Sequence, residues 1–198
     1  MSNCCTDTVI FYSESDNAKD QIARLGDAIS HCYPNCSVRL DTRICVLLDY
    51  LSIPKDALYF RGDIFYYEIN EHSIRFDVNA AWRPLYYCYQ AIAKHFHLGF
   101  VMQSEELGSS IFINTDVFGE YLSTRYRVFL PDESGGIGSI YEELYQNEAE
   151  HEQYLSSEED VFSLLSPYGF SAEDIPQLVS ILDMDYVRID TYDTAYYE

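Results

Sequence analysis

The sequence predicts an α+β fold: a ferredoxin-like (split βαβ) antiparallel sheet with helices on one face, plus an acidic C-terminal lobe. Three observations carry this. Strand and helix periodicities follow one another as strand, helix, strand, strand, helix, strand, with further strands after them. Ile74, Phe76 and Val78 alternate with Arg75, Asp77 and Asn79, the period of a sheet with one buried and one wetter face. Charge is also uneven. Residues 1–100 hold 12 acids and nine bases, whereas residues 101–198 hold 21 acids and only Arg125, Arg127 and Arg188.

The elements follow in order. "TVIFYS" is a short apolar strand, and Ser13 to Asp16 form a helix-start cluster. Ala18, Ile22, Leu25 and Ile29 then recur on one helical face. Residues 42–58 read as a second, less regular helix. "DIFYYEIN" and "SIRFDVNAAW" flank a turn at Asn70-Glu71-His72. Pro84 suits a first helical turn, and Leu85, Cys88, Tyr89, Ile92 and Phe96 give that helix its apolar face. "GFVMQ", "SSIFINT" and "RYRVFL" read as three more strands in a meander. Past Pro131, "DESGGIGS" reads as a loop. Two short helices follow, "EEDVFSLLSPYGF" and "SAEDIPQLVSIL", the second with Ser171 as its cap and Glu173 and Asp174 in its first turn. "DYVRIDTYD" is a last strand that extends the sheet, and "TAYYE" a frayed tail. The expected domains are a core over 1–131 and an acidic, tyrosine-rich lobe over 132–198.

Composition narrows the function classes. At 47% hydrophobic residues the chain can build a core despite a formal charge of −21. The second half, at −18, repels phosphates and anionic lipid heads, so direct nucleic-acid or membrane binding there is disfavoured. No signal-like start and no apolar run near ~20 residues is present, and the six cysteines are scattered; a soluble, cytoplasmic protein with reduced thiols is expected.

The stretch "VNAAWRPLYYCYQAIAKHFHLGFVMQSEELG", continued through "SSIFINTDVFGEYLSTRYRVFL" and preceded by "CTDTVIFYSES", resembles the YubB-type ferredoxin-like domain of plasmid, phage and mobile-element proteins. The resemblance covers roughly residues 5–130. It departs from the pattern at Arg83, where a small capping residue is expected between Trp82 and Pro84. It implies a fold and a mobile-element setting in a bacterial host, and no catalytic residues.

Other motifs have bland and sharp readings. Trp82-Arg83-Pro84 is read as a strand-to-helix junction with Trp82 in the core, against a recognition corner in which Arg83 stacks on an aromatic ring. His31, Cys32 and Cys36 with Cys4 and Cys5 lack a matched second pair for zinc, and are read as ordinary thiols. "SGGIGS" is followed by Ile-Tyr-Glu-Glu rather than the lysine of a phosphate loop, and is read as a hinge. Asp183, Asp185, Asp190 and Asp193 could offer oxygens to a cation, but lack the glycine turn and closing glutamate of a calcium loop. No serine elbow or paired-carboxylate motif stands out, so no catalytic residue, metal or cofactor is assigned.

Residues 139–160 are the feature most in need of an account: eight carboxylates, Tyr141, Tyr145 and Tyr154, and no lysine or arginine. Read as a helix over 139–155, Ile140, Leu144, His151 and Leu155 form a docking stripe. The acids would then be spaced about one per ~3 Å, near the ~3.4 Å of phosphates along one DNA strand. The expectation is a non-enzymatic protein that imitates nucleic acid and occupies the groove of a basic nucleic-acid-binding host protein, plausibly a CRISPR effector. Glu142, Glu143, Glu148, Glu150, Glu152, Glu158, Glu159 and Asp160 would supply charge, and the three tyrosines contact area. The rivals are a scaffold module that uses the core, a nucleic-acid binder that uses the sheet face, and a hydrolase or metal enzyme.

Overall fold

A computed structural model describes residues 4–13, 19–34, 42–130, 139–148 and 150–194. The chain divides into two compact units, Met1–Asp116 and Val117–Ala195, with Tyr196–Glu198 grouped with the first.

The first unit is built on a five-stranded antiparallel sheet. Its strands are β1 (Cys4–Tyr12), β2 (Gly62–Ile69), β3 (Ser73–Ala81), β4 (Gly99–Glu106) and β5 (Ile111–Asn114), in the order β2-β3-β1-β4-β5. β1 is central, with Val9 opposite both Phe76 of β3 and Met102 of β4. Along β1 and β3 alternate residues are buried, as the period-2 pattern requires. Three helices bring their apolar faces to that buried side: α1 (Lys19–Cys32), α2 (Ile44–Tyr50) and α3 (Tyr86–Phe96). Ile22, Leu25 and Ile29, Ile44 and Leu47, and Ile92 and Phe96 share one core with Val9, Phe11, Ile74, Phe76 and Val78. Burying each such side chain contributes roughly 1.5–3 kcal/mol.

Several boundaries differ from the sequence reading. The helix expected over 42–58 is only α2; it ends at Tyr50 with Leu51 as its cap, and Ser52 takes a positive φ before Pro54. Trp82, expected in the core, is 61% exposed, because its left-handed backbone (φ 72°) turns the chain out of β3. Arg83 lies 4.4 Å from the centre of the Tyr59 ring, so its stacking is intramolecular. Residues 14–16 of the expected helix-start cluster and Ala18 of the helical stripe lie outside the described residues, as do Cys36, most of the "DESGGIGS" loop and the last four residues of the chain.

The second unit has its own antiparallel sheet, β7-β6-β8, from β6 (Tyr126–Phe129), β7 (Glu152–Leu155) and β8 (Arg188–Thr191). Two expected members of the first sheet, "RYRVFL" and "DYVRIDTYD", instead pair with each other here, Val128 opposite Ile189. The division therefore falls after Asp116, not after 131. Its helices are α4 (Ile140–Asn147), α5 (Glu158–Leu165) and α6 (Ile175–Ile181), with a 3₁₀ turn over Ser166–Tyr168. Leu144, Val161, Leu165, Leu178, Val128 and Ile189 form a second core. α6 is capped by Asp174, whose carboxylate accepts from the Gln177 N–H; Ser171 lies too far upstream.

The helix expected over 139–155 is the largest correction. α4 stops at Asn147, and Glu148 is already extended (φ −86°, ψ 121°). Continuing it would set Glu148 and Glu152 one turn apart at the negative end of the helix dipole. A strand at 152–155 avoids both and gives Glu152 a cation.

Candidate interaction surface

The acidic stretch forms three local structures. Ser139 caps α4 by accepting from the Glu142 N–H, which places Glu142 and Glu143 in the first turn. Ser157 caps α5 in a reciprocal box with Asp160, which places Glu158, Glu159 and Asp160 in another first turn. Five of the eight acids thus sit where exposed helix N–H groups and the helix dipole favour negative charge. Between the helices, Glu148 accepts from the Tyr168 hydroxyl at 2.8 Å and from Gln153 at 3.2 Å. Glu152 pairs with Arg127 and accepts from the Tyr154 hydroxyl at 3.0 Å. Glu150 is exposed.

Hydrogen bonding shifts the titration of this region. The Ser156 and Ser157 hydroxyls hold the Asp160 carboxyl below its ordinary value. Tyr168 is pushed up by desolvation and by Glu148, and Tyr126 by desolvation and by Glu158, whose carboxylate accepts its hydroxyl at 3.2 Å.

The tyrosines separate into two groups. Tyr141 packs with Phe170 and Tyr186, ring centres 5.4 and 5.1 Å away, and its oxygen accepts from the Asp183 N–H at 2.9 Å. Tyr145 stacks on His151 at 3.9 Å. Both are half-buried packing residues, and only Tyr154, 48% exposed, presents much of its ring to solvent. The predicted stripe is broken up accordingly. Leu144 is buried in the second core, while His151 and Leu155 lie beyond the helix end. Ile140, expected in that docking stripe, is 39% exposed, and Ile181 and Met184, which the sequence reading did not single out, are exposed at 50 and 43%. Their places are linked: the Asp183 N–H bonds to Tyr141, beside Ile140.

The unit's three arginines all turn to its own structure. Arg127 is 2% exposed and donates through Nε to Glu152 and through Nη1 to Asp190 at 2.9 Å, tying β6 to β7 and β8. Burial alone would lower its pKa, but these carboxylates hold the guanidinium above its ordinary value. Arg188 joins Asp190 at 3.2 Å, and Arg125 donates to the Leu122 and Thr124 carbonyls. Between 117 and 195 the chain has 17 acids and three arginines, a formal net of −14.

Of the aspartates considered for a cation, Asp190 is engaged by the two arginines and Asp183 accepts from the Asp185 N–H. Among the described residues, no group of three or more His, Cys, Asp or Glu is placed to hold a metal. Cys4 is exposed, Cys5 buried, and His31 stacks on Tyr50. No helix among the described residues is long and apolar enough to cross a membrane.

The first unit holds a second polar constellation. Asp7, fully buried in β1, accepts from the Leu85 N–H at 2.9 Å, the Tyr89 hydroxyl at 2.7 Å and the Ser104 hydroxyl at 2.5 Å. Cys5 Sγ lies 3.0 Å from Ser104 Oγ. Desolvation raises the Asp7 carboxyl despite these bonds, and pushes Cys5 up to about 12. The sequence did carry a sign of this site: an acid stands in "CTDTVIFY" where Cys5, Val9 and Phe11 mark the inward positions. Through these bonds Asp7 clasps β1 to β4 and to the start of α3.

Compared with family models, curated proteins and solved structures, the chain matches none.

Proposed function

We propose that this chain is a phage or mobile-element protein that inhibits a basic nucleic-acid-binding host defence protein, such as a CRISPR effector, by presenting an acidic surface in place of nucleic acid. The observation that carries the reading is the uncompensated charge of the second unit. All three of its arginines serve the unit's own sheet and loops, while Glu143, Glu150, Glu158 and Glu159 point to solvent. First-turn placement explains why Glu143, Glu158 and Glu159 are tolerated. It does not explain why no surface lysine balances them, since solvated faces ordinarily mix both signs. A basic groove supplies the missing cations.

The surface differs from a helical phosphate ladder. Charge is carried by two helix starts and the turn between them, with Tyr154, Ile140, Ile181 and Met184 as apolar contact points. Glu148, Glu152 and Asp160 keep the unit folded, and the binding role falls to Glu142, Glu143, Glu150, Glu158 and Glu159. In the first unit, the order β2-β3-β1-β4, with helical connections after β1 and β3, supports a ferredoxin-like topology and the YubB-type resemblance.

The test is a bacterial pull-down at low and high salt, comparing wild type with a variant carrying Gln at those five positions. A nucleic-acid-binding protein retained by wild type, released by salt and lost by the variant is expected. Equal retention by both would overturn mimicry. It would favour the alternative of a non-mimetic scaffold that uses the first unit, whose edge strand β2 exposes Phe65 and Tyr66 at 50 and 45%.

A further inference from the structure

Where the N-terminal end of β1 meets the start of β2 and the end of β3, the first unit has a cleft of about 450 Å³. Arg43 and Arg61 line it, together with Phe60, Cys45 and Asn79, and among the described residues Asp63 is its one acidic wall residue. Two more cations lie close to this wall, one of them, Lys55, paired with Asp49 at 2.5 Å. Lys55 stands 5.4 Å from the centre of the Phe60 ring, and Arg83 stacks on Tyr59, whose hydroxyl donates to the carbonyl of Ala81, also in the lining. In a chain with 33 acids against 12 bases, a cavity walled by two guanidiniums and a single carboxylate is a local reversal of sign.

The cleft is held open by backbone. Arg43 and Asp63 form a β-bridge, and the Ile64 N–H donates to the Thr42 carbonyl at 2.9 Å, so the α2 approach is laced to the β2 edge. At Gly62 a side chain would meet Leu85 Cδ1 at 2.7 Å, so the floor there is closely packed. The backbone that carries Arg43 and Asp63 is therefore tied in place, which reduces the ordering cost of binding.

We propose that this cleft binds an organic phosphate of nucleotide size. Guanidinium forks match phosphate oxygens bidentately, and arginine does this better than lysine. The volume lies within the ~300–1,000 Å³ of small-molecule sites, far more than inorganic phosphate fills. Phe60 and Cys45 offer apolar contact for a ring system. Asp63, which would repel a bare anion, instead accepts from sugar hydroxyls or an exocyclic amine, and Asn79 can donate or accept. A ligand that combines a phosphate, a ring system and hydroxyl or amine donors is a nucleoside monophosphate. This site is independent of the acidic surface and stands or falls separately from it.

The experiment uses the full chain, titrated with AMP, adenosine and inorganic phosphate. Binding is read by calorimetry and by NMR of arginine Nε–H groups and the Gly62 amide. The expected result is AMP binding that shifts the Arg43, Arg61 and Gly62 signals and weakens at least about tenfold in Arg43→Gln/Arg61→Gln. Arg24→Gln, on α1, should leave it unchanged, and circular dichroism of each variant checks its fold. Absence of AMP shifts at millimolar ligand, or AMP binding unaffected in the folded double variant, would overturn the proposal. So would phosphate or adenosine binding as tightly as AMP.

Discussion

Arg127→Ala should separate the second unit's structural acids from its displayed ones. The guanidinium is 3% exposed at its side chain and serves Asp190, 12% exposed, and Glu152, 42% exposed. The two halves of the interaction differ in weight. Glu152 can rehydrate, so its share is of the surface kind, below about 1 kcal/mol. Asp190 cannot, and removing one member of a buried pair typically costs about 3–5 kcal/mol. Arg188 remains beside Asp190, which places the expected loss for Arg127→Ala near the lower end, about 3 kcal/mol. Glu152→Gln should cost under about 1 kcal/mol. Urea unfolding gives the totals, and amide exchange over Tyr126–Phe129 and Arg188–Thr191 locates them. Arg127→Met with Asp190→Leu and Glu152→Gln should recover most of the loss, since an apolar replacement leaves no buried charge. A loss below about 1 kcal/mol for Arg127→Ala, or unchanged exchange in β6 and β8, would refute the assignment of Arg127 as the bolt of this sheet.

Other outcomes follow from the same reasoning. Asp7→Ala strands the Leu85 N–H and the Tyr89 and Ser104 hydroxyls, each costing about 1–3 kcal/mol, whereas Asp7→Asn keeps one acceptor oxygen for the Leu85 N–H and Tyr89 hydroxyl, turns its NH2 to the Ser104 oxygen, and should fold. The folded Asp7 pKa lies above its unfolded value, so its contribution is fullest below the unfolded carboxylate range and is lost as pH rises through the raised folded value. Denaturation midpoints measured against pH should show that decline in wild type and lack it in Asp7→Asn. Ser157→Ala should cost about 1 kcal/mol through the α5 cap. Asp160 has the opposite sign: its stabilisation holds above the unfolded carboxylate range and fades as pH falls through the lowered folded value. NMR titration of the Asp160 carboxyl should show its pKa rise in Ser157→Ala.

Legibility varied with the range of the interactions involved. β1, the β2–β3 hairpin and α3 were readable because local periodicity and burial agree there; Ile74, Phe76 and Val78 are inward as their alternation implies. The second sheet was hidden because "RYRVFL" and "DYVRIDTYD" pair across 60-odd residues, as Tyr126 opposite Thr191 shows, and nothing local states which sheet a strand joins. The acidic stretch misled through its composition. Helix-favouring glutamates obscured the end of α4 at Asn147, where like charges and the dipole outweigh propensity. Ser139 and Ser157, each followed three residues on by an acid, were the signals of two separate helix starts. The cleft had no sequence signature, since Arg43 joins its wall through the bridge to Asp63, which nothing local in the sequence states.

The central place of β1 sets a timetable for synthesis. Asp7 must find Leu85, 78 residues later, and Ser104, 97 residues later, before its strand has both neighbours. At about 5–20 residues per second, the ribosome delivers β4 on the order of 5–20 s after β1. Until β3 emerges Val9 and Phe11 have no strand to lie against, until β4 follows they have one on a single side, and contacts of such long range also close slowly once available. A nascent chain of this design is most exposed to mispairing at its start, and that hazard depends on the order in which its strands are made, however stable the finished sheet becomes.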